Sequence, residues 1–542
     1  MLDIRWSSPY TIKEGFKIKW RREWCIPPSM LNGFFGFWRA NKFKMLAEGF
    51  TVVKSKTTGK WYLYETKDNI SLFHIFQDIA SKPVDNFVLP SYTIKDSSGL
   101  RSWQIGAAGK LCAAINHWGA AIDGSDMGTG KTYTACAVAR ELNLNLCVIC
   151  PKSVIKSWNN VVKKHFNMGD KLVGVTNYEK LRLGRRDSNI ASFVLHRHKK
   201  RPDFEWKIPK KTLIVWDESQ KLKNWKTKNA KTCVAAIKAG YPMLFCSATN
   251  ATNPLEMRTV GTALKLFEGN KSYYSWAYEN GVYKGQWGLK FNNNPKILKR
   301  LHQQIFVQRG VRLCRDEIPN FPKCEITSDV YNMENEDAYK INEIYAEMEK
   351  ELDKLDKTSK YDRPKDETVI QLRMRQKIEL VKVPLFVEMV EEGIENGMSV
   401  VVFVNFTDTL NAIATRLNTT CIFDGKTPDK VRDKNVALFQ EDKERVILVN
   451  IQSGGAGLSL HDLNGRFPRM SIISPTWSPV FMRQTLGRIW RDDAKTKCIQ
   501  RIVCVANTVE ENVSRNVQQK LDNLDMLNDG DLQYKSFIME EE

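Results

Sequence analysis

The stretch that decides the fold is Ala120-Ala-Ile-Asp-Gly-Ser-Asp-Met-Gly-Thr-Gly-Lys-Thr132, a short apolar run followed by a loop of small residues. A helical pattern follows from residue 133 to 142. A phosphate-binding loop needs small residues, so that backbone N–H groups can surround phosphates, together with a lysine and a hydroxyl group for Mg²⁺. The loop therefore predicts an ATP site, with a plain glycine-rich turn as the alternative. Its predicted ligands are Gly128, Thr129, Gly130, Lys131 and Thr132, the last also holding Mg²⁺.

A second motif narrows the chemistry. Thr212-Leu-Ile-Val-Trp-Asp-Glu218 is an apolar strand that ends in two carboxylates. Asp217 is predicted to hold Mg²⁺ and Glu218 to orient a water molecule for attack on the phosphate. The two motifs together predict ATP hydrolysis. A small-molecule kinase would need the same pair, but it would not need the second α/β block described next.

Two blocks of alternating apolar runs and helical patterns predict an α/β protein. Runs that are apolar on both faces are typical of parallel strands covered by helices on each side. Such sheets bind ligands at the carboxyl ends of their strands, where both motifs lie. The predicted strands are Leu146–Cys150, Thr212–Trp216 and Met243–Cys246 in the first block, and Val400–Val404, Val446–Val449, Ser471–Ile473 and Arg501–Val505 in the second.

Five segments are predicted along the 542 residues. Ile341, Tyr345 and Met348 recur at helical spacing and predict a long amphipathic helix that packs on a neighbour. The segments are a basic, aromatic N-terminal α+β domain at 1–95, a first α/β block at 96–265, a helical protrusion and linker at 266–375, a second α/β block at 376–525 and an acidic tail at 526–542.

The composition favours a polyanionic partner, either nucleic acid or an anionic membrane surface. The chain has 82 Lys and Arg against 62 Asp and Glu, a net charge of +20. Its first sixty residues hold twelve basic and four acidic side chains, interleaved with aromatics. That mixture suits single-stranded or forked nucleic acid, and equally a small β-rich domain with an aromatic core. No run reaches ~18 apolar residues and no signal peptide is apparent, so we expect an intracellular protein without a membrane span.

The second block contains Gln484-Thr-Leu-Gly-Arg-Ile-Trp-Arg491 on a predicted helix. Arg488 and Arg491 are three positions apart, so they would point in the same direction. Two guanidinium groups on one face suit the charge of a phosphate in the transition state, although a solvated arginine face is the more common arrangement.

Taken together, these motifs resemble helicase superfamily two and, within it, the Swi/Snf-like DNA translocases, over roughly residues 96 to 520. Leu100–Gln104 resembles the adenine-reading motif and predicts Gln104 as a nucleotide ligand. Further resemblances in the first block are Val148–Trp158 (a DNA-backbone contact), Val175–Glu179, Asp217–Gln220 followed by Lys223-Asn224, and Ser247–Thr249 with Asn253–Glu256.

The second block continues the family's order. Ser453–Leu460 resembles motif V and predicts Gly457 as a nucleotide ligand. Gln484–Arg491 resembles motif VI, which implies catalytic roles for Gln484, Arg488 and Arg491 beside Lys131 and Glu218. Other resemblances are Val401–Phe406, Asp424-Gly425, Phe439-Gln440, Trp477–Pro479 and Asn507–Glu511. The lobe linker, with Trp287-Gly-Leu and later Phe306–Arg312 ending at Pro322, is similar to that of the annealing-helicase (HARP-type) branch, and the compact build suits a phage, viral or bacterial source. Asp492-Asp-Ala stands where the family has Ile-Gly-Gln after motif VI, and motif II ends in Ser-Gln instead of Ala-His.

The resemblance implies two RecA-like lobes with ATP and Mg²⁺ in the cleft between them. DNA, whether duplex, forked or single-stranded, would lie across both lobes and be held mainly by its phosphates. The implied protein is a monomer in the cytoplasm or nucleoid, or in a host nucleus, with a single-strand-binding or replication protein as a possible partner class. Three alternatives stay open: a strand-separating helicase, a motor that strips proteins from DNA, and a DNA-annealing scaffold that works through residues 1–95.

Overall fold

The protein is described from a computed structural model in two compact units, one of residues 1–84 and 278–297 and the other of residues 85–277 and 298–542. The described residues are 8–9, 20–21, 23–26, 50–54, 61–65, 87–184, 190–194, 203–248, 253–285, 288–291, 295–331, 335–355, 363–454, 458–476 and 479–505.

In the first unit, the described residues form antiparallel strands. Ser8–Pro9 pairs with Trp20–Arg21. A three-stranded sheet has Trp61–Glu65 between Glu23–Ile26 and Phe50–Lys54. A hairpin joins two further strands, Val282–Gly285 and Gly288–Phe291.

The second unit contains two six-stranded parallel sheets, each the core of one lobe. The first-lobe sheet has the order β6-β1-β5-β4-β2-β3. Its strands are β1 (Ala120–Asp123), β2 (Asn145–Cys150), β3 (Leu172–Asn177), β4 (Thr212–Asp217), β5 (Met243–Cys246) and β6 (Gly310–Val311). An antiparallel ribbon joins Ala191–Val194 to Asp203–Trp206.

Helices connect and cover these strands. Helix α1 ends at Gly119, whose φ of 81° turns the chain into β1. The helices are α1 (Ser102–Trp118), α2 (Lys131–Glu141), α3 (Ile155–Asn160), α4 (Tyr178–Leu183), α5 (Lys228–Lys238), α6 (Arg258–Ala263), α7 (Gly269–Glu279) and α8 (Pro295–His302). Short 3-10 turns occupy Lys152–Val154, Ser219–Leu222, Pro254–Met257 and Arg315–Glu317, and π-helical turns occupy Val161–His165 and Gln303–Val307.

The second-lobe sheet has the order β7-β12-β11-β8-β10-β9 and is also fully parallel. Its strands are β7 (Cys324–Tyr331), β8 (Ser399–Val404), β9 (Ile422–Phe423), β10 (Val446–Asn450), β11 (Arg469–Ile473) and β12 (Cys498–Val505). Its helices are α9 (Asn335–Leu355), α10 (Arg363–Val381), α11 (Val383–Glu395), α12 (Thr407–Arg416), α13 (Asp429–Gln440), α14 (Ile451–Gly454) and α15 (Pro479–Leu486).

Both faces of the second-lobe sheet are buried, as its continuous apolar strands predict. Val401 and Phe403 pack in one core cluster, whereas their neighbours Val400 and Val402 pack in another. Successive side chains of a strand point to opposite faces, so the two clusters lie on opposite sides of the sheet. The prediction of an α/β protein with two parallel-sheet lobes is confirmed.

The segment at 266–375 differs from the prediction. It supplies an edge strand to each sheet, β6 to the first and β7 to the second, in addition to helix α9. The sequence did not indicate either strand. Strand β6 has only two residues, and polar side chains interrupt the apolar pattern of β7, as is common at a sheet edge. Helix α9 is the predicted amphipathic helix, and its Ile341 and Tyr345 pack against Ile378 of α10.

Candidate nucleotide site

The two glycines of the phosphate loop are required by close approaches. Their φ angles are 83° at Gly128 and 86° at Gly130, in the left-handed region that favours glycine. A Cβ atom on Gly130 would lie 2.1 Å from Nε2 of Gln104, and one on Gly128 would lie 3.0 Å from Cδ of Arg491. The loop therefore contacts a predicted ligand of its own lobe and a predicted catalytic residue of the other lobe.

Lys131 begins helix α2, and its side chain folds back over the loop. Its Nζ donates hydrogen bonds to the carbonyl oxygens of Ser125 at 2.8 Å and Asp126 at 2.9 Å. Burial lowers the pKa of Lys131, and the neighbouring carboxylates, Asp123 first among them, oppose that shift. Thr132 follows in the first turn of the same helix.

Gln104 is buried, and both ends of its side-chain amide are hydrogen-bonded. Its Nε2 donates to the carbonyl oxygens of Thr129 at 2.8 Å and Gly130 at 3.4 Å. Its Oε1 accepts the backbone N–H of Arg101 at 2.9 Å. Gln104 thus ties the start of helix α1 to the end of the phosphate loop.

Asp217 and Glu218 end strand β4 beside the loop. Asp217 Oδ2 accepts the indole N–H of Trp158 at 2.8 Å, and the Asp217 carbonyl accepts the hydroxyl of Tyr178 at 2.8 Å. Burial raises the pKa of Asp217 to about 7, and the Glu218 carboxylate adds to the rise. Trp158 was predicted within a DNA-backbone contact. It is instead 1% exposed and positions Asp217.

A hydrogen-bond chain links Glu218 to both lobes. Gln220 Nε2 donates to Glu218 Oε2 at 2.7 Å, and Ser247 Oγ donates to Gln220 Oε1 at 2.6 Å. From the second lobe, Gln484 Nε2 donates to the same Glu218 oxygen at 3.2 Å. Gln220 is one of the two residues at which motif II departs from the family pattern, and it joins Glu218 to the Ser247 motif.

The arginine pair reaches the seam between the lobes, but not from a helix as predicted. Helix α15 ends at Leu486, and the chain turns at Gly487. Glycine has low helix propensity, and a Cβ there would lie 2.8 Å from Cβ of Met127 in the phosphate loop. Beyond this turn, Arg488 Nη1 and Arg491 Nη2 each donate to the Leu458 carbonyl at 3.1 Å.

Arg488 is buried, and Arg491 is partly buried. Burial lowers the pKa of Arg488 to about 9, and the adjacent Arg491 contributes to the shift. The negative charge of Glu218 acts in the opposite direction on both arginines. A buried and a partly buried cation therefore lie within electrostatic range of the predicted catalytic carboxylate. Gly457, predicted as a further ligand, lies outside the described residues.

The sequence reasoning missed a charged cluster around Asp126. Its Oδ1 accepts Arg312 Nη2 at 2.8 Å and Arg483 Nη2 at 3.0 Å, and its Oδ2 accepts the backbone N–H of Arg315 at 3.2 Å. Arg315 Nε also donates to the carbonyl of Met127 at 2.9 Å. Strand β6 and the residues after it therefore hold the phosphate loop, together with one second-lobe arginine. The only feature of the sequence that could have indicated this cluster is an aspartate next to the glycines of the loop.

Backbone hydrogen bonds reinforce that attachment. Gly124 N donates to the Val311 carbonyl at 2.9 Å, and Asp126 N donates to the Leu313 carbonyl at 3.0 Å. In return, Leu313 N donates to Ser125 Oγ at 3.1 Å. These hydrogen bonds join the start of the phosphate loop to residues 311–313, in the segment that leads on to β7 of the second lobe.

Two protein-family models match this chain. Residues 61–377 match the SNF2-related domain, and residues 381–493 match the helicase conserved C-terminal domain. The first match begins upstream of residue 96, where the resemblance was placed.

Individual relatives are distant. A protein of Acanthamoeba polyphaga mimivirus, named as an ATP-dependent RNA helicase, is 29% identical over 445 residues, covering 78% of this chain and 82% of its own length. The DNA repair and recombination protein RAD54 of Oryza sativa subsp. japonica is 30% identical over 127 residues, 22% of this chain and 13% of that protein. The Sulfolobus solfataricus SWI2/SNF2 ATPase core is 21% identical, with a TM-score of 0.32 over 84% of this chain and 94% of that one.

Proposed function

The chain belongs to the SNF2-related family of superfamily-two helicases, and we propose that it is a DNA-dependent translocase that hydrolyses ATP at the seam between its lobes. Members of this family are ATPases that remodel or move along nucleic acid, and this chain is such an ATPase. DNA as the substrate and the seam as the catalytic site are the finer parts of the proposal. One observation carries the seam: Gln484 Nε2 of the second lobe donates to Glu218 Oε2 of the first at 3.2 Å. DNA as the substrate is supported by the family and by the exposed lysines described below.

The first lobe supplies the phosphate-binding wall. Lys131 Nζ is held only 2.8–2.9 Å from two loop carbonyls, and a triphosphate would offer it stronger, charged acceptors. Backbone N–H groups of Gly128, Thr129 and Gly130 would surround the phosphate oxygens, as small residues permit. Gln104 already donates hydrogen bonds to the end of the loop. From this lobe it would also contact the base of the nucleotide.

The donors near Lys131 fit Mg²⁺. The Asp217 carboxylate and the Thr132 hydroxyl are hard oxygen ligands of the kind that Mg²⁺ prefers. The raised pKa of Asp217 marks a buried carboxylate that a cation would stabilise. Asp217 and Thr132 would hold Mg²⁺ there, and its positive charge would offset the negative charge of the phosphates. Trp158 binds the Asp217 carboxylate and Tyr178 binds the Asp217 backbone carbonyl, so both restrict the movement of this residue.

The second lobe completes the site. Glu218 would orient the attacking water, and Gln220 and Gln484 fix its Oε2 from two sides. Arg488 and Arg491 would stabilise the charge on the transferred phosphoryl group. Because Gln484 and both arginines come from the second lobe, hydrolysis would require the two lobes to close. Closure and reopening, biased by the bound nucleotide, would move one lobe along the nucleic acid.

Exposed lysines of the first lobe suit the DNA backbone. Lys152 and Lys156, in the stretch that resembles a DNA-contact motif, have side chains 68% and 83% exposed. They form ion pairs with Asp429 and Asp433 of helix α13 in the second lobe. Exposed ion pairs contribute little free energy, so a phosphate backbone could replace these carboxylates readily.

An ATPase assay with single-stranded, duplex and forked DNA and with RNA tests the proposal. We expect DNA to stimulate turnover and the stimulation to fade as salt rises. Lys131→Ala should abolish turnover while DNA binding is retained. Full turnover in that variant would refute the site assignment, and stimulation by RNA alone would refute DNA as the substrate. The mimivirus relative, named as an RNA helicase, makes that second outcome worth measuring.

A further inference from the structure

A guanidinium group enclosed by aromatic rings lies at the start of helix α6. Cζ of Arg258 is 3.7 Å from the centroid of the Trp225 ring, 5.1 Å from that of Tyr273 and 5.6 Å from that of Tyr274. Arg258 is only 9% exposed. Cation–π contacts of this kind hold the indole ring of Trp225 in a fixed position.

Two rings of this cluster remain open to solvent. Trp225 is 44% exposed and Tyr274 is 40% exposed. Among the tryptophans whose burial the structure describes, Trp225 alone falls in the exposed class. A large aromatic ring that is fixed in place and exposed can stack against a flat ligand, and we call this ring the platform.

The surface around Trp225 is basic. The sequence from residue 219 to residue 255 contains six lysines and no aspartate or glutamate. Lys226, Lys228 and Lys231 are exposed. Lys223 pairs with Glu256 at 3.3 Å, so part of this charge is already balanced. The remaining charge complements a polyanion whose phosphates flank the platform.

The platform adjoins the elements that hold Glu218. Trp225 lies in the turn between Ser219–Leu222 and helix α5, and Arg258 follows directly after the turn Pro254–Met257. The first of these turns contains Gln220, which donates to Glu218 and accepts from Ser247. A ligand on Trp225 would therefore bind three residues after the turn that contains Gln220.

We propose that the exposed face of Trp225 stacks an unpaired base of the DNA strand, with Tyr274 as a second stacking surface and the surrounding lysines on the phosphates. This inference rests on the proposed function, because it places part of the DNA strand on the first lobe. Any base can stack on an aromatic ring, so the platform would bind unpaired bases whatever their sequence. Duplex DNA, whose bases are already stacked on each other, would bind the lysines alone.

The test compares a single-stranded thymidine oligonucleotide with an abasic oligonucleotide of the same length, by fluorescence anisotropy. Both carry the same phosphates, so only the first can stack. Trp225→Ala should weaken binding of the thymidine oligonucleotide roughly tenfold and leave binding of the abasic one unchanged. Trp225→Phe should retain most of the affinity and shows that a folded chain is being measured. Lys228→Glu should weaken binding of both oligonucleotides.

Tyr339→Ala is the matched control, since Tyr339 is 65% exposed on helix α9, far along the chain from the platform. It should change neither affinity. The proposal is overturned if Trp225→Ala binds thymidine as tightly as the unaltered protein, or if it loses affinity equally for both oligonucleotides. A chain whose ATPase ignores DNA would overturn the proposed function instead, and the two-oligonucleotide comparison would still decide the stacking question.

Discussion

Replacing Asp126 by asparagine tests whether the phosphate loop depends on its arginine cluster. Burial alone would raise the pKa of Asp126, but the guanidinium groups of Arg312, Arg483 and Arg315 outweigh burial and hold that pKa well below its usual range. Asparagine has the same shape and no charge. In Asp126→Asn, three buried cations would therefore face each other without a carboxylate between them.

The magnitude follows from the two shortest contacts. The side chains of Asp126, Arg312 and Arg483 are 12%, 3% and 15% exposed, and the contact distances are 2.8 and 3.0 Å. Removing one partner of a buried ion pair costs about 3–5 kcal/mol. Two hydrogen bonds to a charged group, at about 1.5–3 kcal/mol each, give about 3–6 kcal/mol, which overlaps that range. We expect the free energy of unfolding of the first lobe to fall by about 3–5 kcal/mol.

Thermal melting measures this loss. At roughly 2 °C or more per kcal/mol, the melting temperature should fall by about 6 °C or more. Asp170→Asn, the same change at an exposed first-lobe carboxylate, should melt like the unaltered protein. Because the folded pKa of Asp126 lies below the unfolded value of about 3.9, its stabilisation is present above that value and is lost as pH falls through the folded pKa. The difference between variant and unaltered protein should thus persist from pH 7 to about pH 5. A difference under about 1 kcal/mol at pH 7 would refute the reasoning.

Two further predictions concern metal and DNA. Since the pKa of Asp217 is raised to about 7, a proton should compete with Mg²⁺ below that pH, so ATPase activity at limiting Mg²⁺ should fall between pH 8 and pH 6. Raising Mg²⁺ should move the midpoint to lower pH, and a midpoint independent of Mg²⁺ would contradict this assignment. Lys152→Ala should weaken DNA binding and reduce the slope of log affinity against log salt by about 0.7–0.9. Because the side chain is exposed, the free energy of unfolding should change by less than about 1 kcal/mol. An unchanged slope would show that Lys152 contacts no phosphate.

The sequence predicts the buried strands well and the edge strands poorly. Met243–Cys246 is predicted and observed with the same bounds, because a central strand is apolar on both faces and ends abruptly. Strand β7 is instead an edge strand in which Glu325, Thr327 and Asp329 alternate with other residues, so no apolar run marks it. Its pairing with β12 joins residues that are far apart in the chain, and no local pattern encodes such a pairing.

At the nucleotide site, too, the sequence predicts local motifs but not contacts between residues that are far apart in the chain. The phosphate loop and the carboxylates after β4 are local motifs, so their residue types and spacing indicate them. Asp126 and Arg483, by contrast, are separated by 357 positions, and neither belongs to a pattern in the sequence. The arginine pair was predicted through helical spacing, yet Arg488 and Arg491 reach the seam after the helix has ended. Trp158 ends the stretch that resembles a DNA-backbone-contact motif, and the resemblance did not indicate that its indole is buried and bonded to Asp217.

The most direct test of catalysis at the lobe seam is to measure both the ATPase rate and the ATP affinity of Arg491→Ala. Arg491 lies against Gly128 of the phosphate loop and comes from the opposite lobe. An arginine that stabilises the transferred phosphoryl group contributes about 10³–10⁵ to the rate. We predict that kcat falls about 10³-fold or more, that Arg491→Lys restores little of it, and that ATP still binds with nearly unaltered affinity. An Arg491→Ala chain that turns over ATP at the rate of the unaltered protein would contradict catalysis at the lobe seam.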